Sequence, residues 1–391
     1  MRILYCAIDQ TVPGTRGGSV HVQAVAEGLA ALGHEVHVLV RRGADGFPLG
    51  AVHWHEMSPP LGSPRLRLAR AGRVAAIARM LRPDVVMERY FNFGGEGMRT
   101  AARSGALAVL EVNAPVIDYP GSPKHLLDLA LLVEPMRRWR DWQCRTADLI
   151  VSPSRAILPA WLQADRVVEL EWGADTERFR PGADGPVPFS RHPGELVVVF
   201  AGAFRAWHGA IHLVEAIRHL RAKGITSVTA VLAGDGPELP RVREAAEGLG
   251  GVTFTGPVAH DWMPALLAAA DIGAAPFDAA AHPPLSLAFY WSPLKVFEYM
   301  ASGLAVVAPA IDGIRRIVAD EREGLLYDPR DPLALALAIE RLQDVETRRR
   351  LGEAARARAV NEFSWAGHCA RLQGAIERAL TRRGHARDTT S

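Results

Sequence analysis

The sequence predicts an α/β protein made of two similar halves, each a parallel β-sheet with helices on both faces. Short apolar runs alternate with amphipathic helical stretches along almost the whole chain. The alternation stops at a Pro- and Gly-rich stretch, residues 178–195, and then starts again. With 391 residues and 49% hydrophobic content, the chain can bury two cores, since single cores stop growing at shorter lengths.

In the first half, "RILYCAI" reads as a buried strand. "GTRGG" is a glycine turn, followed by an amphipathic helix to about Leu32 and a strand from Glu35 to Val40. "AVHWHEM" alternates like a strand, residues 64–81 read as a helix, and "PDVVMER" and "ALAVLEVN" are strands. "TADLIVSPS" gives a strand and then a helix start near Ser154. "DRVVELEWGAD" closes the half. In the second half "LVVVFAG", "SVTAVLAG", "VTFTG", "DIGAAPF", "LAVVAPA" and "GLLYDP" are strands, with helices between them. The tail after Glu353 is helical with a break at "NEFSW", and residues 382–391 are polar and expected to be disordered.

Net charge is +2, which gives no global attraction to nucleic acid. Cys6, Cys144 and Cys369 form no metal or redox spacing, as in a reduced, cytoplasmic setting. The start carries no signal-peptide pattern, and no run of about 18 apolar residues exists to cross a membrane. Neither a P-loop nor the spaced glycine fingerprint of dinucleotide binding is present. Neither is an Asp-x-Asp pair.

Ligands of open parallel sheets sit at the carboxyl ends of the strands, so the chemistry is sought in the loops there. Gly14 to Gly18 precede a helix start, where glycines allow close approach of an anion, although a plain tight turn explains them as well. The "FAGAFRAWHG" loop places Arg205 and His208 between Gly202 and Gly209; a surface loop with one Arg is its other reading. In "GDGPE", starting at Gly234, Asp235 reads as a turn residue. "WSPLKVFEYMASG" opens a helix with Ser292 as N-cap and Pro293 at its first position. Lys295 then stands in the first turn, where the helix dipole disfavours a cation. One reading is a surface pair with Glu298. The other is a dianion site in which Lys295 and the helix end hold a diphosphate while Glu298 accepts hydrogen bonds from a ribose diol.

Taken in this order, these stretches resemble the retaining nucleotide-sugar glycosyltransferases of family 4, with the GT-B fold of two Rossmann-like domains facing across a cleft. The resemblance runs over nearly the whole chain. It rests on "GGSVHVQAVAEGLAALGHEVHVL", "LEVNAP", "ADLIVSPS", "WGADTERFRP", "GAFRAWHG", "LAGDGPE", "ADIGAAPF" and "SPLKVFEYMASGLAVVA". It implies an acceptor domain over 1–177 and a donor domain over 178–364, with a last helix at 365–381 crossing back to the first. It implies catalytic roles for Arg205, Lys295 and Glu298. Donor contacts would come from these two helix residues and from Gly17, Gly18, Gly202, His208, Gly234, Ser292 and Leu294. Asn113 and Tyr290 fall on the sugar and acceptor side. The chain departs from the family at Tyr290, where a first Glu is common, at His208, where many relatives have Lys, and at Asn113, where some have His.

The reaction implied is transfer from a nucleoside-diphosphate sugar to an acceptor hydroxyl, lipid-linked or free, with retention and with no cofactor or metal. A nucleotide-sugar epimerase and a non-catalytic transferase subunit are the alternatives. Two basic stretches bear on location. Arg67, Arg70 and Arg73 recur at helical spacing, and Arg137, Arg138, Arg140 and Arg145 interleave with Trp139 and Trp142. Such faces suit peripheral contact with an anionic membrane. Solvated faces with buried Trp anchors are the plainer reading. His53 and His55 share a strand face but have no third ligand nearby.

Overall fold

The computed structural model describes residues 1–119, 121–131 and 133–388. It divides into two compact units. Unit 1 holds residues 1–172, 290–292 and 365–391, and unit 2 holds 173–289 and 293–364. The expected boundary at 177/178 therefore falls at 172/173. The segment 290–292, expected in the second half, groups with unit 1.

Unit 1 contains β1 (Arg2–Val12), α1 (Gly17–Ala31), β2 (Glu35–Arg42), β3 (His53–Glu56), α2 (Ala71–Leu81) and β4 (Val85–Arg89). It continues with α3 (Glu96–Ser104), β5 (Leu107–Glu111), α4 (Pro123–Leu131), α5 (Pro135–Thr146), β6 (Leu149–Ser152) and β7 (Val167–Glu169). Its seven strands run in the order β3-β2-β1-β4-β5-β6-β7. The β1 strand pairs in parallel on both sides, with Ile3 opposite Val36 and Val85. A strand paired on both edges and covered on both faces must be apolar throughout, which is why "ILYCAI" is continuous rather than alternating.

Unit 2 contains β8 (Leu196–Ala201), α6 (Ala210–Ala222), β9 (Val228–Ala233), α7 (Leu239–Ala245), β10 (Val252–Gly256), α8 (Met263–Ala268) and β11 (Ile272–Ala274). Then follow α9 (Leu294–Ala301), β12 (Ala305–Pro309), α10 (Asp312–Ile317), β13 (Gly324–Tyr327), α11 (Ala334–Arg341) and α12 (Val345–Glu362). The six strands run β10-β9-β8-β11-β12-β13, again in parallel. The last helix, α13 (Trp365–Asp388), belongs to unit 1. Its Leu372, Ala375 and Ile376 join Val22, Val25 and Leu29 of α1 in that unit's core. Residues 382–388, expected to be disordered, continue this helix, and residues 389–391 lie outside the described ones.

Two other expectations change. Residues 64–81 are not one helix: Pro64–Arg70 form a 3₁₀ stretch before α2. Within it Arg67 is fully buried, with Nη1 2.5 Å from Asp9 and Nη2 2.6 Å from Glu96, so it points into the protein rather than along a basic surface. Arg140 of α5 is likewise buried, 2.9 Å from Asp118 and 3.4 Å from Asp128. Trp139 and Trp142 stack 4.6 Å apart, and Trp139 Nε1 donates to Gly94 O. The two basic stretches therefore lack the continuous cationic faces that the sequence suggests. The helix start near Ser154 is a single 3₁₀ turn, with the Ser154 hydroxyl accepting from Ala156 N.

Candidate functional site

In unit 2 the predicted donor residues gather at the carboxyl ends of β8 and β9 and at the start of α9. Gly202 follows β8 with φ +141°, and a Cβ there would lie 3.0 Å from Lys295 Nζ. Gly234 follows β9 with φ +132°, and a Cβ there would come within 1.9 Å of Gly202 O. Both positions need glycine, one for lysine access and one for loop packing.

Lys295 is 8% exposed. Among the described residues its ammonium has no hydrogen-bond partner, and it stands 4.0 Å from the Phe200 ring centroid and 5.4 Å from that of Phe277. Burial lowers it to about 7, against the pull of Glu298. Glu298 lies one turn further, and burial raises it to about 7 against Lys295 and Arg178. His260 Nε2 lies 4.0 Å from its Oε1, and burial lowers the pKa of that imidazole. The surface ion pair that the sequence also allowed is not what forms here. Aromatic faces attract a cation but do not replace hydrogen bonds to an anion.

His208 Nδ1 donates to Ala203 O, which leaves Nε2 as an acceptor. Burial and the neighbouring Lys295 push this imidazole down to about 2, so it is neutral. Arg205 is exposed, just before the turn that carries His208. Asp235 is a turn residue, accepting from Gly236 N at 2.7 Å. Leu294 is the first residue of α9, whose N-cap is Pro293.

Ser292 is not the N-cap expected of it. Its hydroxyl donates to Glu171 Oε2 and accepts from Trp172 N, both at 2.6 Å. A hydroxyl committed to that pair cannot also cap α9. Tyr290 is buried in the same unit 1 segment and packs edge-on to Trp291.

Unit 1 holds a second polar centre, around Glu111 at the end of β5. This buried carboxylate accepts from Tyr5 OH, faces His21 Nε2, and receives Arg89 at 3.3 Å and Asn113 Nδ2 at 2.5 Å. Burial alone would raise its pKa, but His21, Arg89 and Tyr5 hold it well below the ordinary carboxylate range. Asn113 Oδ1 accepts from Trp172 Nε1 at 3.0 Å, so both ends of its amide are engaged. His21 stacks on Trp172 at 4.3 Å. Gly17 and Gly18 open α1, and a Cβ on Gly18 would meet Gln10 Oε1 at 2.3 Å. The sequence reading passed over Glu111; the signal was a carboxylate inside an otherwise apolar strand. Among the described residues no group of three or more His, Cys, Asp or Glu is arranged to hold a metal ion.

Two doubly wound parallel sheets in series form the architecture of the GT-B class. HepE of Anabaena, solved in complex with UDP, matches with a TM-score of 0.68 and 19% identity, covering 96% of this chain and 100% of that one. The sequence places the chain more finely. Residues 15–178 match the model of Glycosyltransferase Family 4, and residues 195–344 match that of Glycosyl transferases group 1. The chain belongs to the family 4 glycosyltransferases. It is 32% identical over 230 residues to the D-inositol 3-phosphate glycosyltransferase of Corynebacterium glutamicum, covering 55% of this chain. That match spans about half of the relative, 52% of its length. The chain is 29% identical to the GDP-mannose-dependent alpha-mannosyltransferase of Mycolicibacterium smegmatis, over 98% of this chain and 99% of that protein.

Proposed function

We propose that this protein moves a sugar from a nucleoside-diphosphate sugar to an acceptor hydroxyl, with retention of configuration and without a divalent metal, in the cytoplasm. The observation that carries the reading is Lys295: a buried ammonium in the first turn of a helix, with no hydrogen-bond partner among the described residues. A cation there is costly twice over, through desolvation and through the helix dipole. A diphosphate would offset both, meeting Lys295 and the unpaired N–H groups of the helix start together. Glu298, a turn deeper, would accept from the ribose hydroxyls. Arg205 would supply the second cation, because a neutral His208 brings no charge. UDP in the HepE structure and the mannosyltransferase's GDP-mannose support this class of donor.

In the proposed step the bond between the anomeric carbon and the β-phosphate oxygen breaks. The acceptor oxygen bonds to that carbon on the same face, and its proton passes to the departing diphosphate. Negative charge grows on that diphosphate, and Lys295 and the helix end stabilise it most when it is fully formed. No carboxylate nucleophile is needed.

A thermal-shift screen of nucleoside-diphosphate sugars should find a donor that raises the melting temperature, since ligand binding stabilises the folded state by mass action. Product analysis with that donor should give a new α- or β-glycoside of the donor's own configuration. A released, altered sugar nucleotide would instead mark an epimerase, and no product would mark a non-catalytic subunit. Turnover should persist in excess chelator. Loss of turnover with recovery on adding Mg²⁺ or Mn²⁺ would overturn the metal-free part.

A further inference from the structure

The helix α4 is built inside out. Leu126, Leu127, Leu129 and Leu131 are 59%, 41%, 57% and 50% exposed, and Val133 just beyond is 56% exposed. Its buried residue is the acidic one, Asp128. The Asp128 carboxylate accepts from Met136 N at 2.7 Å and Arg137 N at 3.0 Å and lies 3.4 Å from Arg140. It therefore ties α4 to the first turn of α5. At 100° per residue the four leucines spread over roughly 200° of the helix, with Asp128 nearly opposite their centre. A helix that packs in a protein core needs an apolar stripe of only about 100°. Here a stripe twice that width faces away from the protein.

We propose that α4 is a lipid-contacting helix that seats unit 1 on an anionic membrane surface. The width of the stripe favours a continuous apolar phase over a groove, which would cover one side only. The charges around it are those an anionic interface selects. The one acid of α4 is buried, Lys124 turns inward, and His125 lies 3.8 Å from Asp118, so the exposed cations beside the stripe come from α5. Arg137 and Arg138 stand exposed at the start of α5, the former 3.2 Å from Glu134.

Helix α4 and its neighbour α5 are both anchored to the loop after β5. Lys124 Nζ donates to Pro115 O at 2.6 Å, and Arg140 Nη1 donates to Val116 O at 2.5 Å. That loop contains Asn113, on the acceptor side of the proposed reaction. Resting on the transferase reading, the acceptor is then a hydroxyl carried by a membrane lipid. The membrane contact itself does not depend on that reading.

Co-sedimentation with phosphatidylcholine vesicles, with and without phosphatidylglycerol, tests the proposal. The wild-type chain should pellet with the anionic vesicles, and Leu129→Glu/Leu131→Glu should weaken this by at least about tenfold, each leucine being a large part of the buried apolar area. Both leucines are exposed, so the double variant should keep its melting temperature. Should it misfold, backbone hydrogen exchange on the wild-type chain still decides: anionic vesicles should protect residues 123–131. Lys295→Met should pellet like wild type, so a failed transferase assay and a failed lipid contact are separable. Equal pelleting of the double variant, or no protection of α4, overturns the proposal. So does a concentration-dependent dimer in solution that the double variant abolishes, which would assign the face to a second copy of the chain.

Discussion

Glu111 and Lys295 are both ionisable side chains withdrawn from water, at the ends of parallel sheets in different units. Glu111 is surrounded by donors: Tyr5, His21, Arg89 and Asn113 all turn to it. Lys295 has aromatic faces and, among the described residues, no acceptor. The first charge is compensated within the folded chain, so its burial serves the structure. The second feels Glu298 but has no hydrogen-bond partner among the described residues, which is the place the proposed diphosphate would fill. Burial by itself therefore says little about function; the count of partners separates the hub from the site.

Mutation should split the pair cleanly. The largest effect should be on stability at Glu111. Glu111→Ala strands Arg89 and leaves Tyr5 and His21 without their acceptor, and breaking a buried charge cluster from one side costs about 3–5 kcal/mol. Urea denaturation would read it as a fall in the transition midpoint. A loss below about 1 kcal/mol would place Glu111 with ordinary surface carboxylates and dissolve the contrast.

At Lys295 the sign should reverse. Lys295→Met should leave the melting temperature of the free protein unchanged or raise it, while kcat falls about 10²–10³-fold, as for removal of one oxyanion donor. The pH dependence sharpens this. A lysine at about 7 when folded and near 10.5 when unfolded binds fewer protons in the folded state between those values. Stability thus rises with pH across that window, and the charging cost is fully present below about 7. The advantage of Lys295→Met should therefore be greatest at or below neutral pH and fade towards pH 10.5. Glu111, whose pKa is also depressed, gives the same direction of slope in a more acid window: it contributes stability above the ordinary carboxylate range, and that stability is lost as pH falls through it. A melting temperature that drops in Lys295→Met at near-normal kcat would make Lys295 a structural residue after all.

The smallest of the three effects should be at Glu298. Glu298→Ala should weaken a ribonucleotide donor by about 1.5–3 kcal/mol, the range for hydrogen bonds to a charged group, and a deoxyribose analogue much less. Isothermal titration with both ligands measures the difference. Equal losses would mean that Glu298 supports the helix and not the ribose.

The layout of both sheets was readable because strands buried on two faces leave continuous apolar runs such as "LVVVFA". Lys295 was readable because a first-turn cation violates a local rule. Glu111 was not, since its partners come from β1, α1, the end of β4 and the residues after β5, far apart in the chain. Arg67 and Arg140 recur at helical spacing, and spacing alone cannot show that Asp9, Glu96, Asp118 and Asp128 wait inside for them. Ser292 failed as a cap for the same reason: Glu171 and Trp172, over a hundred residues away, take its hydroxyl. Local rules predict a residue's default use, and a distant partner with a stronger bond replaces it.

The return of α13 to unit 1 has a consequence for synthesis. A ribosome makes the chain from one end, and domains usually fold as they emerge. Unit 1 cannot do so. Its His21 meets Trp365 and His368, Gly28 lies against Cys369, and Leu372 and Ile376 fill its core. All of these leave the ribosome after the whole of unit 2. The nascent first sheet must therefore wait with α1 uncovered while a second domain is made and folds ahead of it. The first part translated is the last to be finished, and a truncation at the carboxyl terminus would be felt at the amino terminus.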